Sequence, residues 1–236
     1  MNAQAEIARK TRRSFLVGGM AAAAGYAGYR WLGSGDNMGT PKPLRKVLET
    51  NESLVSAYYS NGRLAPEFDA SRAKMPRVNG VVGVGDDYDP SGWKLQLNGK
   101  TSLTMADIRS LPRVESVTEI KCIEGWSEIC RWAGVRFSDF AAKFAPESRT
   151  KFVSMVTPDE DYYVGLDIAS AMHPQTLLCY EMNGEPLSVP HGAPLRLTIP
   201  VKYGVKNIKR IGSIQFTDER PQDYWANEGY DWYAGL

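Results

Sequence analysis

Two Asn-Gly dipeptides, Asn98-Gly99 and Asn183-Gly184, each close an apolar run and constrain the fold of this chain more than any other feature. Both residues of such a pair reach positive φ at low cost, so the dipeptide turns one strand tightly back on the next. The first follows the alternating Trp93-Lys94-Leu95-Gln96-Leu97, and the second follows Leu177 to Glu181. The chain has no regular strand–helix alternation and no Gly-rich phosphate loop after a strand, so a dinucleotide-binding fold is disfavoured.

The rest of the body reads as short strands interleaved with short helices. Val78 to Val84 is β-prone, and Val117 to Lys121 alternates as a strand that ends at Cys122. Further strands are expected at 151–156, 162–166, 195–199 and 208–216. Ser102 to Leu111 predicts a helix capped by Thr104, with Met105, Ile108 and Leu111 at helical spacing. Phe137 to Phe144 predicts another, stopped by Pro146, and Ile168 to Met172 a third. Residues 76–236 are therefore expected to form one α+β domain with mixed sheets and short helices. Residues 33–75, with Gly33-Ser34-Gly35 and Pro41-Lys42-Pro43, read as a linker and a loosely organised N-terminal arm.

Charge and cysteine content remove several function classes. Lys+Arg 28 against Asp+Glu 27 leaves a net charge of +1, so neither a nucleic-acid groove nor a polybasic membrane patch is expected. Three cysteines (Cys122, Cys130, Cys179) make a poor disulfide framework, and no C-x-x-C pair is present for zinc or covalent haem. Two histidines are too few for a histidine-built metal centre. A metal bound here would have to bring most of its own ligands.

Residues 1–32 read as an address. Arg9, Lys10, Arg12 and Arg13 form a basic head before an apolar run rich in Gly and Ala. The string Thr11-Arg12-Arg13-Ser14-Phe15-Leu16 resembles a twin-arginine signal, which is read by an export receptor and carries folded proteins. Val17 to Leu32 is 16 residues, short of the roughly 20 that span a bilayer. Gly25-Tyr26-Ala27 is an indifferent cleavage site, so a retained N-terminal anchor stays open.

Two segments carry chemistry. Cys122 stands at a strand end before Ile123-Glu124-Gly125-Trp126, where a loop can present a thiolate to a ligand beside Lys121; a buried, inert cysteine fits the same pattern. Further on, His191-Gly192-Ala193-Pro194-Leu195-Arg196-Leu197 leads through Lys202, Gly204 and Lys206 to Asn207-Ile208-Lys209. Arginine and lysines among glycines offer charge-assisted donors and close backbone approach to a phosphate; a solvated basic hairpin would look alike.

Together, Lys121 to Trp126, Cys130 to Val135 with Phe137, and Tyr180 to Arg196 resemble the molybdopterin-binding domain of the sulfite-oxidase superfamily, over roughly residues 76–217. Cys130 to Phe137 matches the end of that family's cysteine loop and the helix after it. The resemblance implies that Cys122 binds molybdenum, with the dithiolene of one molybdopterin supplying the other sulfurs. It implies that His191, Arg196, Asn207, Ile208 and Lys209 hold the pterin and its phosphate, that Thr157 contacts the pterin, and that Asn61 of the arm touches it. Glu124 would orient water or move protons, or be simply solvated. Cys130 and Cys179 are expected to be structural, and His173 has no assigned role.

Sulfite oxidases follow the metal cysteine with a glycine-asparagine-arginine type of run. Ile123-Glu124-Gly125-Trp126 instead resembles the exported protein-methionine-sulfoxide reductases of the superfamily, whereas His191 matches the sulfite-oxidase side. The expectation is two-electron oxygen-atom transfer that reduces S- or N-oxides. The alternatives are a sulfite-type oxidase and a metal-free exported binding protein. No haem-binding stretch is visible. Electrons would pass through a separate partner, a membrane haem b quinol-linked subunit or a soluble cytochrome, on the periplasmic side of the inner membrane.

Overall fold

The computed structural model describes residues 3–37, 40–80, 82–85, 88–147 and 149–236. Helix α1 (Ala3–Leu32) is exposed along nearly its whole length. Among the described residues no helix is long and apolar enough to cross a membrane. A two-residue pair, β1 (Asp36–Asn37) with β2 (Thr40–Pro41), leads into α2 (Lys42–Tyr58). The arm expected to be loosely organised thus contains a 17-residue helix. Pro43 sits in its first turn, where the missing N–H costs nothing. Its inward stripe, Arg45, Leu48, Glu52 and Val55, follows helical spacing.

Strands β3 (Leu95–Leu97) and β4 (Thr101–Leu103) form the first expected hairpin, with Asn98 and Gly99 at φ 52° and 63°. Helix α3 (Met105–Arg109) follows, its start held by a reciprocal cap between Thr104 and Asp107. Strands β5 (Arg113–Lys121) and β6 (Ser127–Arg136) pair antiparallel in unbroken register from Arg113↔Val135 to Lys121↔Ser127. Helix α4 (Phe137–Phe144) is where the sequence predicts it. Then come β7 (Phe152–Val156), β8 (Tyr163–Asp167) and α5 (Ile168–Ala171). Strands β9 (Leu177–Met182) and β10 (Glu185–Pro186) close the second Asn-Gly turn, with φ 55° and 90° at Asn183 and Gly184. The chain finishes with β11 (Arg196–Thr198), β12 (Ser213–Thr217) and α6 (Tyr224–Asn227).

The strands make two five-stranded sheets. One has the order β10-β9-β6-β5, with β11 also paired to β9; the other runs β4-β3-β12-β7-β8. Pairing is antiparallel except between β3 and β12. The fold class is mixed α+β, as expected. A buried cluster joins the sheets and α4 through Leu95, Val135, Phe137, Phe140, Met155, Leu197 and Ile214. Each such side chain contributes on the order of 1.5–3 kcal/mol by leaving water. A second cluster, Cys130, Trp132, Leu177, Cys179 and Met182, covers the other face of β6 and β9.

Three local expectations are corrected. The described residues of Val78 to Val84 form no strand; Gly80 and Gly83 take φ 76° and 69°, which an extended ladder cannot accommodate, and Val81 lies outside the described residues. The stretch Cys130 to Val135, read as a loop leading into a helix, belongs to the ten-residue strand β6. Gly134 makes this strand fit: a Cβ there would lie 2.0 Å from the Leu178 carbonyl oxygen, at the bulge where β6 meets β9. The last strand begins at Ser213 rather than Ile208, because residues 208–212 run as a loop beneath the site.

Candidate active site

The β5–β6 hairpin presents Cys122. Its amide donates to the Trp126 carbonyl at 2.9 Å and its carbonyl accepts from the Gly125 amide at 3.1 Å, a tight turn that uses Gly125 at φ 87°. The thiol is half-buried and opens into a cavity of about 540 Å³. Into the same cavity face Glu124, His191, Arg196, Asn207 and Lys209. These six predicted residues, more than 80 positions apart at the extremes, converge because the hairpin loop meets the loops flanking β11.

Two cations line the cavity wall among the described residues besides Arg77: Arg196, which is buried, and Lys209, which is partly buried. The Arg196 guanidinium donates to the carbonyls of His191 (3.1 Å) and Asn207 (3.3 Å) and lies 4.8 Å over the Trp132 ring. Burial pulls its pKa down to about 10. Its Nε is buried with no partner among the described residues. Lys209 donates to the Asn79 carbonyl at 2.5 Å, and burial, then Arg196 and Arg210, lower its pKa to about 8. Burial, then Arg196 and Lys209, push His191 to about 4, so its imidazole is neutral at pH 7. Asn207 is locked by its side chain, which accepts from Ile199 N–H at 2.8 Å and donates to the Tyr203 carbonyl.

Three predicted residues do not join the cavity wall. Asn61 lies exposed on the turn closed by Arg63 N–H to Ser60, on the side of the molecule where the Arg63 carbonyl meets His173. Thr157 is buried, but its hydroxyl donates to Asp159 and accepts from Tyr162 N–H, closing the 157–162 turn. The Ile208 side chain packs in the apolar core and its carbonyl completes a bond from Leu197 N–H. Two lysines of the basic segment also turn away: Lys206 is buried against Asp223 and the Gly165 carbonyl, and Lys202 is buried beside Asp167 at 3.7 Å. An isolated buried charge costs several kcal/mol, so each lysine seeks a carboxylate.

A different asparagine, just past the arm at the start of the domain, does reach the cavity. Asn79 Nδ2 donates to Cys122 Sγ at 3.5 Å. Trp126 of the cysteine loop lines the space, as do Arg77, Tyr162, Tyr224, Trp225 and Tyr230, which were missed by sequence reasoning. The aromatic density of 224–233 was the available signal. Cys130 and Cys179 are buried, and burial raises both thiols to about 12, in keeping with structural roles. His173 is buried and accepts from Gln175 N–H.

Residues 82–225 match the model of a family described as the oxidoreductase molybdopterin binding domain. This chain belongs to that family. It is 31% identical over 231 residues to a protein of Azospira oryzae provisionally named protein-methionine-sulfoxide reductase subunit YedZ1, covering 95% of this chain and 86% of that one. It is 32% identical to the protein-methionine-sulfoxide reductase catalytic subunit MsrP of Campylobacter jejuni, over 80% and 68% of the two chains. The sulfane dehydrogenase SoxCD of Paracoccus pantotrophus shares the fold, with a TM-score of 0.52 and 18% identity over 57% of this chain and 40% of that one. The protein is thus an oxidoreductase with a molybdopterin-binding domain of the sulfite-oxidase type. The cavity suits such a group: a half-buried thiol, a donor a metal can take, shares it with the buried Arg196, whose Nε lacks a partner among the described residues, and the partly buried Lys209, as an anionic phosphate-bearing ligand requires.

Proposed function

We propose that this protein is an exported reductase of S- or N-oxides, with methionine sulfoxide as the representative substrate. The observation that carries this reading is Glu124, held in the cavity by the indole N–H of Trp126 at 3.0 Å, two residues from Cys122. A carboxylate beside an aromatic wall disfavours a dianion such as sulfite by several tenths of a kcal/mol or more. The same surface suits a neutral sulfoxide on a thioether chain, since sulfur packs well against aromatic rings. The names of the two relatives above support the same reading.

In this reading Cys122 binds the molybdenum. Arg196, Lys209, Asn207 and the neutral imidazole of His191 hold the pterin and its phosphate. Bound there, the molybdenum–molybdopterin group supplies two-electron oxygen-atom transfer. The chain's own side chains fix the site and shape its access. Arg196 and Lys209 neutralise the phosphate from a buried wall. Tyr162, Tyr224 and Trp225 exclude water from one side. Glu124 exchanges a proton with cavity water while Trp126 keeps one of its oxygens in place. Electrons arrive from a separate protein, a membrane haem b quinol-linked subunit or a soluble cytochrome. The exposed helix α1, with its basic head at Arg9 to Arg13, serves twin-arginine export to the periplasm or the outer face of the inner membrane.

His191 favours a second reading, a sulfite-type oxidase. A screen of purified, cofactor-loaded protein separates the two. Reduced viologen dye is offered with methionine sulfoxide, dimethyl sulfoxide and trimethylamine N-oxide, beside ferricyanide-linked sulfite oxidation. Turnover of the oxides is expected. Turnover in the sulfite assay alone would overturn the reductase reading, and protein purified without molybdenum from cofactor-competent cells would favour a binding module.

A further inference from the structure

The C-terminal wall of the cavity is built from aromatic rings that touch in series. Tyr162 and Tyr224 lie 5.2 Å apart between ring centroids, Tyr224 and Trp225 5.5 Å, and Trp225 and Tyr230 5.2 Å. All four line the cavity. Helix α6 is only four residues long and the chain turns sharply after it, with Gly229 at φ 95° and the Gly229 and Tyr230 amides closing the turn onto Ala226 and Trp225.

The anchor comes from the opposite end of the chain. Arg45, in α2, is buried, with only 4% of its surface exposed. Its guanidinium donates to the Ala226 carbonyl at 2.6 Å, to the Tyr230 carbonyl at 2.9 Å and to Thr40 Oγ1 at 3.2 Å. A cation over the carbonyls at the end of a short helix meets the negative end of that helix, and a planar fork can satisfy both carbonyls at once. Two further contacts tie the same pieces together: Arg220 to Glu52 at 2.6 Å, and the ring of Tyr59 edge-on to Tyr233 at 6.5 Å. Arg45, Ala226 and Tyr230 all lie outside residues 82–225, so this clasp is added to the family domain from both ends.

We infer that Arg45 is a positioning residue for substrate recognition: by clamping the 226–230 turn it sets the place of the aromatic wall and hence the affinity for a sulfoxide side chain. The clamp itself stands on the contacts above, and its effect on sulfoxides rests on the reductase reading. Arg45 does not itself line the cavity and acts through the Tyr230 turn, so its loss acts on ground-state binding and leaves the reacting atoms in place. The signature is a change in KM at nearly constant kcat.

The test uses the full, cofactor-loaded chain carrying Arg45→Met, which removes the donors and keeps an unbranched apolar stem. Hydrogen exchange at the amides of Gly229 and Tyr230, which donate to Ala226 and Trp225, is expected to speed up by about tenfold or more, while Met155 in β7 is unchanged. KM for methionine sulfoxide is expected to rise about five- to tenfold with kcat within about twofold and molybdenum content equal to wild type. Arg45→Lys keeps the cation but not the fork and should fall between. Unchanged exchange in the turn would overturn the clamp. A loosened turn with unchanged KM, or a loss of kcat and molybdenum at constant KM, would overturn the positioning role. Should Arg45→Met not accumulate as folded protein, Arg45→Lys is judged by the same two measurements. If wild-type protein reduces no sulfoxide, the reductase reading fails, and the exchange data still decide the clamp.

Discussion

The indole N–H of Trp126 donates to the Glu124 carboxylate at 3.0 Å, across the mouth of the hairpin that carries Cys122. This contact holds a carboxylate at the cavity wall, and Arg77 lies over the same indole at 6.0 Å. Under the proposed function the pair would act on which molecules enter rather than on the fold, since Glu124 is exposed.

Glu124→Gln should consequently change anion selectivity. The amide oxygen can still accept from the indole, so the loop geometry is kept while the charge is lost. KM for methionine sulfoxide should stay within about threefold, whereas inhibition by sulfite should tighten about two- to fivefold, as removal of a partly screened charge predicts. Equal sulfite inhibition constants in the two proteins would show that the carboxylate does not gate anions.

The three thiols should differ sharply in reactivity. Cys122 is half-buried and faces the cavity, while Cys130 and Cys179 are buried with thiols raised to about 12. In folded, cofactor-free protein, iodoacetamide at pH 8 should modify one cysteine, and none in Cys122→Ser. Mass spectrometry of the alkylated protein reads this directly. Labelling of Cys130 or Cys179 before Cys122 would contradict the placement of the hairpin loop.

Acid should weaken the site through His191. Its folded pKa of about 4 lies below the ordinary histidine value of 6.5, so between those values the unfolded chain binds more protons. Stability is therefore expected to fall as pH drops from about 6.5 to about 4, by about 1–2 kcal/mol once the water in the cavity is allowed for. Urea denaturation of wild type and His191→Asn at pH 7 and pH 4.5 tests it. The variant should lose less stability than wild type over that interval, and an identical loss in both would show that His191 is not the group responsible.

Much of this architecture was legible because the signals were local. Asn98-Gly99 and Asn183-Gly184 form the turns their backbone preferences require. Thr104 caps α3 with Asp107, and α4 spans Phe137–Phe144 as the spacing predicts. The strand leading to Cys122 was equally plain. Strand β6 was not, because its alternation is broken by the bulge at Ala133 and Gly134 and both of its faces are covered. A strand buried on both sides lacks the period of two that marks a half-exposed one.

Read along the chain, the candidates for chemistry are already limited to one cysteine at a strand end, an arginine and a lysine around β11, and a carboxylate beside the thiol. Which of them share a cavity follows from the packing of distant segments. That packing brought Cys122, His191, Arg196, Asn207 and Lys209 together, drew Lys202 and Lys206 into buried pairs with Asp167 and Asp223, and set Asn79 beside Cys122. The physical reason is that burial of a charge is settled by what lies opposite it in space. A lysine that meets an aspartate is neutralised within the fold, and one that meets other cations stays available to a ligand.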